Sequence, residues 1–108
     1  MITELRLLTN SLRISERFWT AIYPSAGVER GVDRWGKPRL WITPETGPAL
    51  EFGEAIAAHL ITTVDLVVQT DPGAADRLRA AGFEVAHDGA QAVDVNATDA
   101  TIKLEVRP

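Results

Sequence analysis

The chain has 108 residues, 45% of them hydrophobic and 24% charged, with a formal net charge of −4. A chain of this size is expected to form one domain, 1–108, that buries roughly two-thirds of its unfolded surface without a disulfide or a metal. The absence of cysteine excludes thiol catalysis, disulfides and Cys-ligated zinc or iron–sulfur clusters, and the scattered placement of 11 basic residues in an acidic chain argues against a nucleic-acid partner.

No apolar run approaches the roughly 20 residues of a membrane span. The opening Met1-Ile2-Thr3-Glu4 lacks a basic region followed by an apolar stretch, so no signal peptide is expected and the expected location is cytoplasmic.

Residues 2–9 alternate loosely. Leu5 and Leu7 share one face and Glu4 and Arg6 the other, which predicts a strand with a dry side and a polar side. Asn10 and Ser11 are candidate N-caps. Ile14, Phe18, Trp19 and Ile22 then recur at helical spacing, and Pro24 and Gly27 end that helix. Residues 28–32 and 39–43 flank a turn-rich segment and read as a hairpin. Pro44-Glu45-Thr46-Gly47-Pro48 is a second reversal, leading into a short strand at 49–53. Residues 54–60 read equally as a helical turn or a connector.

Residues 63–69 form the cleanest strand pattern, with Val64, Leu66 and Val68 on one face and Thr63, Asp65, Val67 and Gln69 on the other. Asp71 as N-cap and Pro72 at the first helical position predict a second helix, with Ala74, Ala75, Leu78 and Ala81 as its buried stripe. Gly82 supplies a left-handed stop, from which Phe83 can fold back. Residues 84–87, 91–96 and 101–106 read as closing strands. The order strand, helix, strands thus occurs twice, in units of about 1–54 and 61–108.

The segments LRLLTNSLRISERFW, VDLVVQTDPGAADRLRAAGFEV and TDATIKLEV, taken in that order, resemble the vicinal oxygen chelate superfamily of glyoxalases, bleomycin-resistance proteins and extradiol dioxygenases. The resemblance implies an α+β fold of two βαβββ units that form a cupped mixed sheet, with the two helices on the outer faces. In metal-dependent members four side chains on the first and fourth strands of the units hold a divalent ion. Those positions fall on Glu4, Glu51, Thr63 and Lys103. Thr is a rare ligand, and a lysine ammonium has no lone pair to offer. A two-residue slip would substitute Asp65 or Glu105 and make an all-carboxylate set, which suits Mg²⁺, Ca²⁺ or Mn²⁺ better than zinc.

Strand parity places Glu4, Arg6, Glu51, Asp65, Lys103 and Glu105 on the cup face. These charges read either as a polar ligand site or as a solvated face laced with ion pairs. An unpaired carboxylate in a closed cup would be a candidate acid or base, with Glu4 and Glu51 in that role. Trp41 could stack on a planar or cationic ligand or simply fill the core, and Trp35 could do the same or cap a turn. His59 and His87, the two imidazoles, read as surface residues.

The sequence therefore points to a small-molecule-binding protein of the glyoxalase/bleomycin-resistance type with no metal cofactor. Glu4, Arg6, Trp41, Glu51, Asp65 and Lys103 would line its ligand site. The resemblance also implies a homodimer, since open sheet edges need a neighbour. The alternative is a divalent-metal-dependent lyase or dioxygenase using Glu4 and Glu51, and a third possibility is a partner-binding module with a filled cup.

Overall fold

Two copies of one βαβββ unit follow each other in the chain. The structure is a computed structural model and describes residues 2–55, 65–86, 91–93 and 101–106. The first unit comprises β1 (Glu4–Thr9), α1 (Leu12–Ile22), β2 (Gly27–Val32), β3 (Pro38–Thr43) and β4 (Ala49–Glu54). The second comprises β5 (Asp65–Thr70), α2 (Ala74–Ala80), β6 (Val85–Ala86), β7 (Gln91–Val93) and β8 (Thr101–Val106). The sheets are ordered β1-β4-β3-β2 and β5-β8-β7-β6. In each, the first and last strands of the unit run parallel and the remaining neighbours antiparallel.

The repeat extends to register. Glu4 lies opposite Ala49, Arg6 opposite Glu51 and Thr9 opposite Glu54. In the second unit Asp65 lies opposite Thr101, Val67 opposite Lys103 and Thr70 opposite Val106. Glu4 is therefore equivalent to Asp65, Glu51 to Lys103 and Thr9 to Thr70. This corrects the assignment of the second unit's first-strand position to Thr63, which itself lies outside the described residues.

Alternation along the strands selects the buried face. Leu40, Ile42, Leu50 and Phe52 point toward α1, whose Phe18, Trp19 and Ile22 close over them, each of the seven at most 4% exposed. A side chain buried to that extent contributes about 2–3 kcal/mol. Phe18 stands edge-on to Phe83 of the second unit at 5.1 Å.

Ser11 caps α1, its hydroxyl accepting the Ile14 N–H at 3.3 Å. Thr9 anchors the same turn from within. Its hydroxyl accepts from the Ser11 N–H at 3.1 Å and from the Ser15 hydroxyl at 2.8 Å, and donates to the Ser11 carbonyl at 3.1 Å. Gly27, expected past the helix end, is the first residue of β2.

The second helix departs from expectation at its start. Asp71 and Pro72 precede it, and α2 begins at Ala74 behind Gly73. The Asp71 carboxylate accepts the Gly73 N–H at 3.0 Å and two hydrogen bonds from the Arg77 guanidinium, so it builds a tight turn ahead of the helix. The other end follows the pattern. Gly82 takes φ +92°, and the Phe83 N–H donates back to the Leu78 carbonyl at 3.0 Å.

The units meet through their helices. Arg77 of α2 donates to the Ala21 and Ile22 carbonyls at the end of α1, at 2.7 and 3.2 Å, and Arg17 of α1 donates to the Ala81 carbonyl at the end of α2. Each helix thus receives a cationic cap from the other at its electronegative end. Of the expected closing strands, the portions at residue 87 and at 94–96 lie outside the described residues, as does most of 54–60.

Candidate functional site: the open face of the first sheet

The face of the first sheet away from α1 carries the charged residues. Glu4 and Arg6 come from β1, Glu51 and Gly53 from the central β4, Arg39 and Trp41 from β3, and Glu29 and Gly31 from β2. Their parity is the complement of the leucines and phenylalanine that pack on the helix.

Arg6 lies directly across from Glu51 and two residues along from Glu4. Its Nε is 3.1 Å from Glu51 and its Nη2 is 3.4 Å from Glu4, so one guanidinium spans both carboxylates. The Glu51 side chain is 15% exposed, whereas that of Arg6 is 78% exposed. The carboxylate is therefore fixed deep in the face while the arginine presents its outer edge to solvent.

Arg39 approaches Glu51 from the other side at 3.9 Å, an ion-pair distance too long for a hydrogen bond. Accordingly, its buried Nε has no hydrogen-bond partner among the described residues. The guanidinium reaches over Gly53, where a Cβ would come within 1.8 Å of Nη1. Its Nη2 reaches Asp33 at 3.2 Å. Asp33 is held below the usual carboxylate range by the Lys37 N–H foremost, against desolvation, with the Trp35 N–H and Arg39 adding to the lowering.

Trp41 pairs with Glu51 on one side and Glu29 on the other. It is half-buried, and a Cβ on Gly31 would meet its ring at 3.2 Å. The indole therefore lies low over the Gly31 backbone and forms part of the floor of the face. The two glycines make room for two large side chains, Gly53 for Arg39 and Gly31 for Trp41. Trp41 is not a core residue, which removes one of its two sequence readings. Trp35 is 68% exposed at the hairpin tip, with the Arg34 guanidinium 4.1 Å above its ring.

Four of the expected site residues, Glu4, Arg6, Trp41 and Glu51, thus share one face. Asp65 and Lys103 occupy positions on β5 and β8 of the other sheet, on the equivalents of Glu4 and Glu51, and Glu105 lies opposite Gln69. His59 and His87 lie outside the described residues. Arg39, Asp33, Gly31 and Gly53 had not been singled out. Arg39 was legible, since it shares strand parity with Trp41. The role of the glycines was not, because it depends on what lies across the sheet.

No protein-family model matches the sequence, and no curated protein matches it. Solved structures do match. FosX, a fosfomycin resistance protein from Listeria monocytogenes, superposes with a TM-score of 0.72 at 13% identity, over 100% of this chain and 92% of its own. The fold is that of the vicinal oxygen chelate proteins. A possible glyoxalase from Bacillus cereus gives a TM-score of 0.66 at 15% identity, over 96% of both chains. An antibiotic-binding protein from a Streptomyces species gives 0.66 at 13% identity, over 100% of this chain and 96% of its own.

A mutant of the Listeria protein has been solved with Mn(II). The residues here fit such an ion poorly. The expected ligand carboxylates, Glu4 and Glu51, are both engaged by Arg6. Among the described residues no group of three or more His, Cys, Asp or Glu comes together to hold a metal. The equivalent of Glu51 in the second unit is a lysine, which cannot ligate while protonated.

Proposed function

We propose that this chain binds a small polar or aromatic organic molecule on the cup face and does so without a metal ion. The observation behind this reading is the Arg6 guanidinium spanning Glu4 and Glu51 on the face where the Trp41 indole packs close to Gly31. A fixed cation and a flat π surface suit a planar ligand that stacks on Trp41 and places an anionic or hydrogen-bonding edge against Arg6. Glu51 and Glu4 remain available to a cationic edge. The function is sequestration rather than turnover. The Streptomyces neighbour is named as an antibiotic-binding protein, which gives a precedent on this fold for that use.

A second copy of the chain completes the cup in this reading. The positions of Asp65 and Lys103 lie on the other sheet, and in this reading a neighbouring chain brings that sheet over the Trp41 face. The six residues would then surround one ligand.

The competing reading, a divalent-metal-dependent lyase or dioxygenase, draws on the Mn(II) found in one FosX structure. A thermal-shift screen of planar aromatic compounds, cationic and neutral, run beside Mn²⁺, Zn²⁺ and Ni²⁺, separates the two. Organic compounds are expected to raise the midpoint, and Trp41→Ala to weaken the best of them by about 2 kcal/mol, roughly thirtyfold. Shifts with the metals and none with the organics would contradict the proposal.

A further inference from the structure

The outer edge of the first sheet is an open strand. β2 ends the order β1-β4-β3-β2, and all six of its residues are exposed. Where the hairpin closes, the Asp33 N–H donates to the Lys37 carbonyl at 2.9 Å, so these two residues are a hydrogen-bonded pair. β2 and β3 then pair without a break from Val32 opposite Pro38 to Gly27 opposite Thr43. Alternation turns the main-chain groups of Gly31, Glu29 and Gly27 inward to β3 and those of Val32, Arg30 and Val28 outward. These outward N–H and C=O groups have no strand beside them among the described residues. Natural edges are commonly blunted by brevity, proline, lysine or a bulge. The internal repeat shows one such device, since β6, the equivalent of β2, has two residues. β2 has none of them: it is six residues long, unbulged, and free of proline and lysine.

The side chains of the same three residues share the helix side of the sheet with Leu40 and Ile42, their neighbours on β3. α1 packs over β3 and β4, and beyond its flank Val28 and Val32 are 40% and 63% exposed. Between α1 and this strip runs a groove of about 390 Å³, walled by Leu12, Pro38 and Leu40 and bridged by the ion pair of Arg30 with Glu16. Arg39, also at its wall, is paired with Asp33. Glu16 is the sole acid among the described lining residues and is taken by Arg30, while the Arg13 guanidinium has no ion-pair partner among the described residues. The groove therefore keeps one uncompensated positive charge.

We propose that β2 is a docking edge for an extended peptide segment of another protein, which adds to the sheet as a further strand and carries an acidic side chain flanked at alternate positions by apolar ones. Main-chain pairing with Val28, Arg30 and Val32 supplies the affinity. The alternate side chains that fall on the helix side meet Val28, Arg30 and Val32 in turn, and the acid complements Arg13 across the groove. A second copy of the chain is a poor occupant. In the two antiparallel self-pairings that engage most of β2, either Arg30 lies opposite its own copy or Glu29 does, and like charges directly opposite are destabilising. This edge is independent of whatever the cup holds.

The test is amide hydrogen exchange read by NMR, with an acetylated and amidated peptide that carries Val, Glu and Val at alternate positions with Thr between them and at both ends. In the free chain the amides of Val28, Arg30 and Val32 should exchange faster than those of Glu29 and Gly31. The peptide should slow the first three in a dose-dependent way. N-methylation of its Val and Glu nitrogens should abolish that protection, and Lys in place of its Glu should weaken binding about fivefold. Arg13→Glu should reverse that preference without lowering the thermal midpoint. Val32→Pro, at a position where an edge strand tolerates the lost N–H, should fold and bind the peptide more weakly. No protection at these amides, or protection that survives N-methylation, would overturn the proposal. So would a Lys peptide that binds as well as the Glu peptide, or amides that become protected as protein concentration rises without peptide, which would put a second copy on the edge.

Discussion

Single polar atoms decide several features of this chain. The Thr9 hydroxyl holds the β1–α1 turn through three hydrogen bonds in a fully buried place. Thr9→Val keeps the shape and strands the Ser15 hydroxyl, so a loss of about 1–3 kcal/mol is expected in urea unfolding. A change within error would mean that the network adds nothing. Asp71 is held at about 2, below its ordinary 3.8, by the Arg77 guanidinium first and by the Gly73 N–H. The folded chain thus prefers the ionised form more than the unfolded chain does. That preference is fully present above about pH 4 and fades as the pH falls toward 2. The stability gap between wild type and Asp71→Asn should be widest near neutrality and close over that acid range, as read from denaturation at several pH values. A gap that stays constant down to pH 2 would remove Asp71 from the account.

At the scale of elements, the sequence was most legible where pattern and local chemistry agree. The stripe Ile14, Phe18, Trp19, Ile22 marks α1, the alternation around Leu66 and Val68 marks β5, and Gly82 marks the end of α2 with the left-handed φ expected of it. Asp71-Pro72 misled because the same residues that cap helices also build turns. The choice was made by Arg77, which sits six positions on and clamps the carboxylate. The reciprocal caps were invisible for a different reason. Arg77 and Arg17 reach carbonyls 55 to 64 residues away, and no local pattern announces such a partner. The cup face was half legible. Parity grouped Glu4, Arg6, Trp41 and Glu51, but the placement of Arg39 over Gly53 depends on cross-strand register. Gly53→Ala tests that placement. A Cβ there must push the guanidinium aside, so the variant should fold and yet bind a Trp41-stacking ligand with altered affinity. Unchanged affinity would show that Arg39 plays no part in shaping the face.

For the molecule as a whole, β1 and β2 bound the first sheet and β5 and β6 the second, with no further strand neighbour among the described residues. Open edges and a charged half-cup are the physical reasons to expect a second copy. Sedimentation velocity should show two chains per particle at micromolar concentration, and a monomer at every concentration would remove the shared cup. Whether the cup can hold a metal ion turns on what stands between Glu4 and Glu51. Calorimetric titration of metal-free protein with Mn²⁺ tests this most directly. With Arg6 spanning Glu4 and Glu51, no saturable heat is expected. Saturable binding near one ion per cup, abolished by Glu51→Ala, would show that the arginine yields to a metal and would contradict the account.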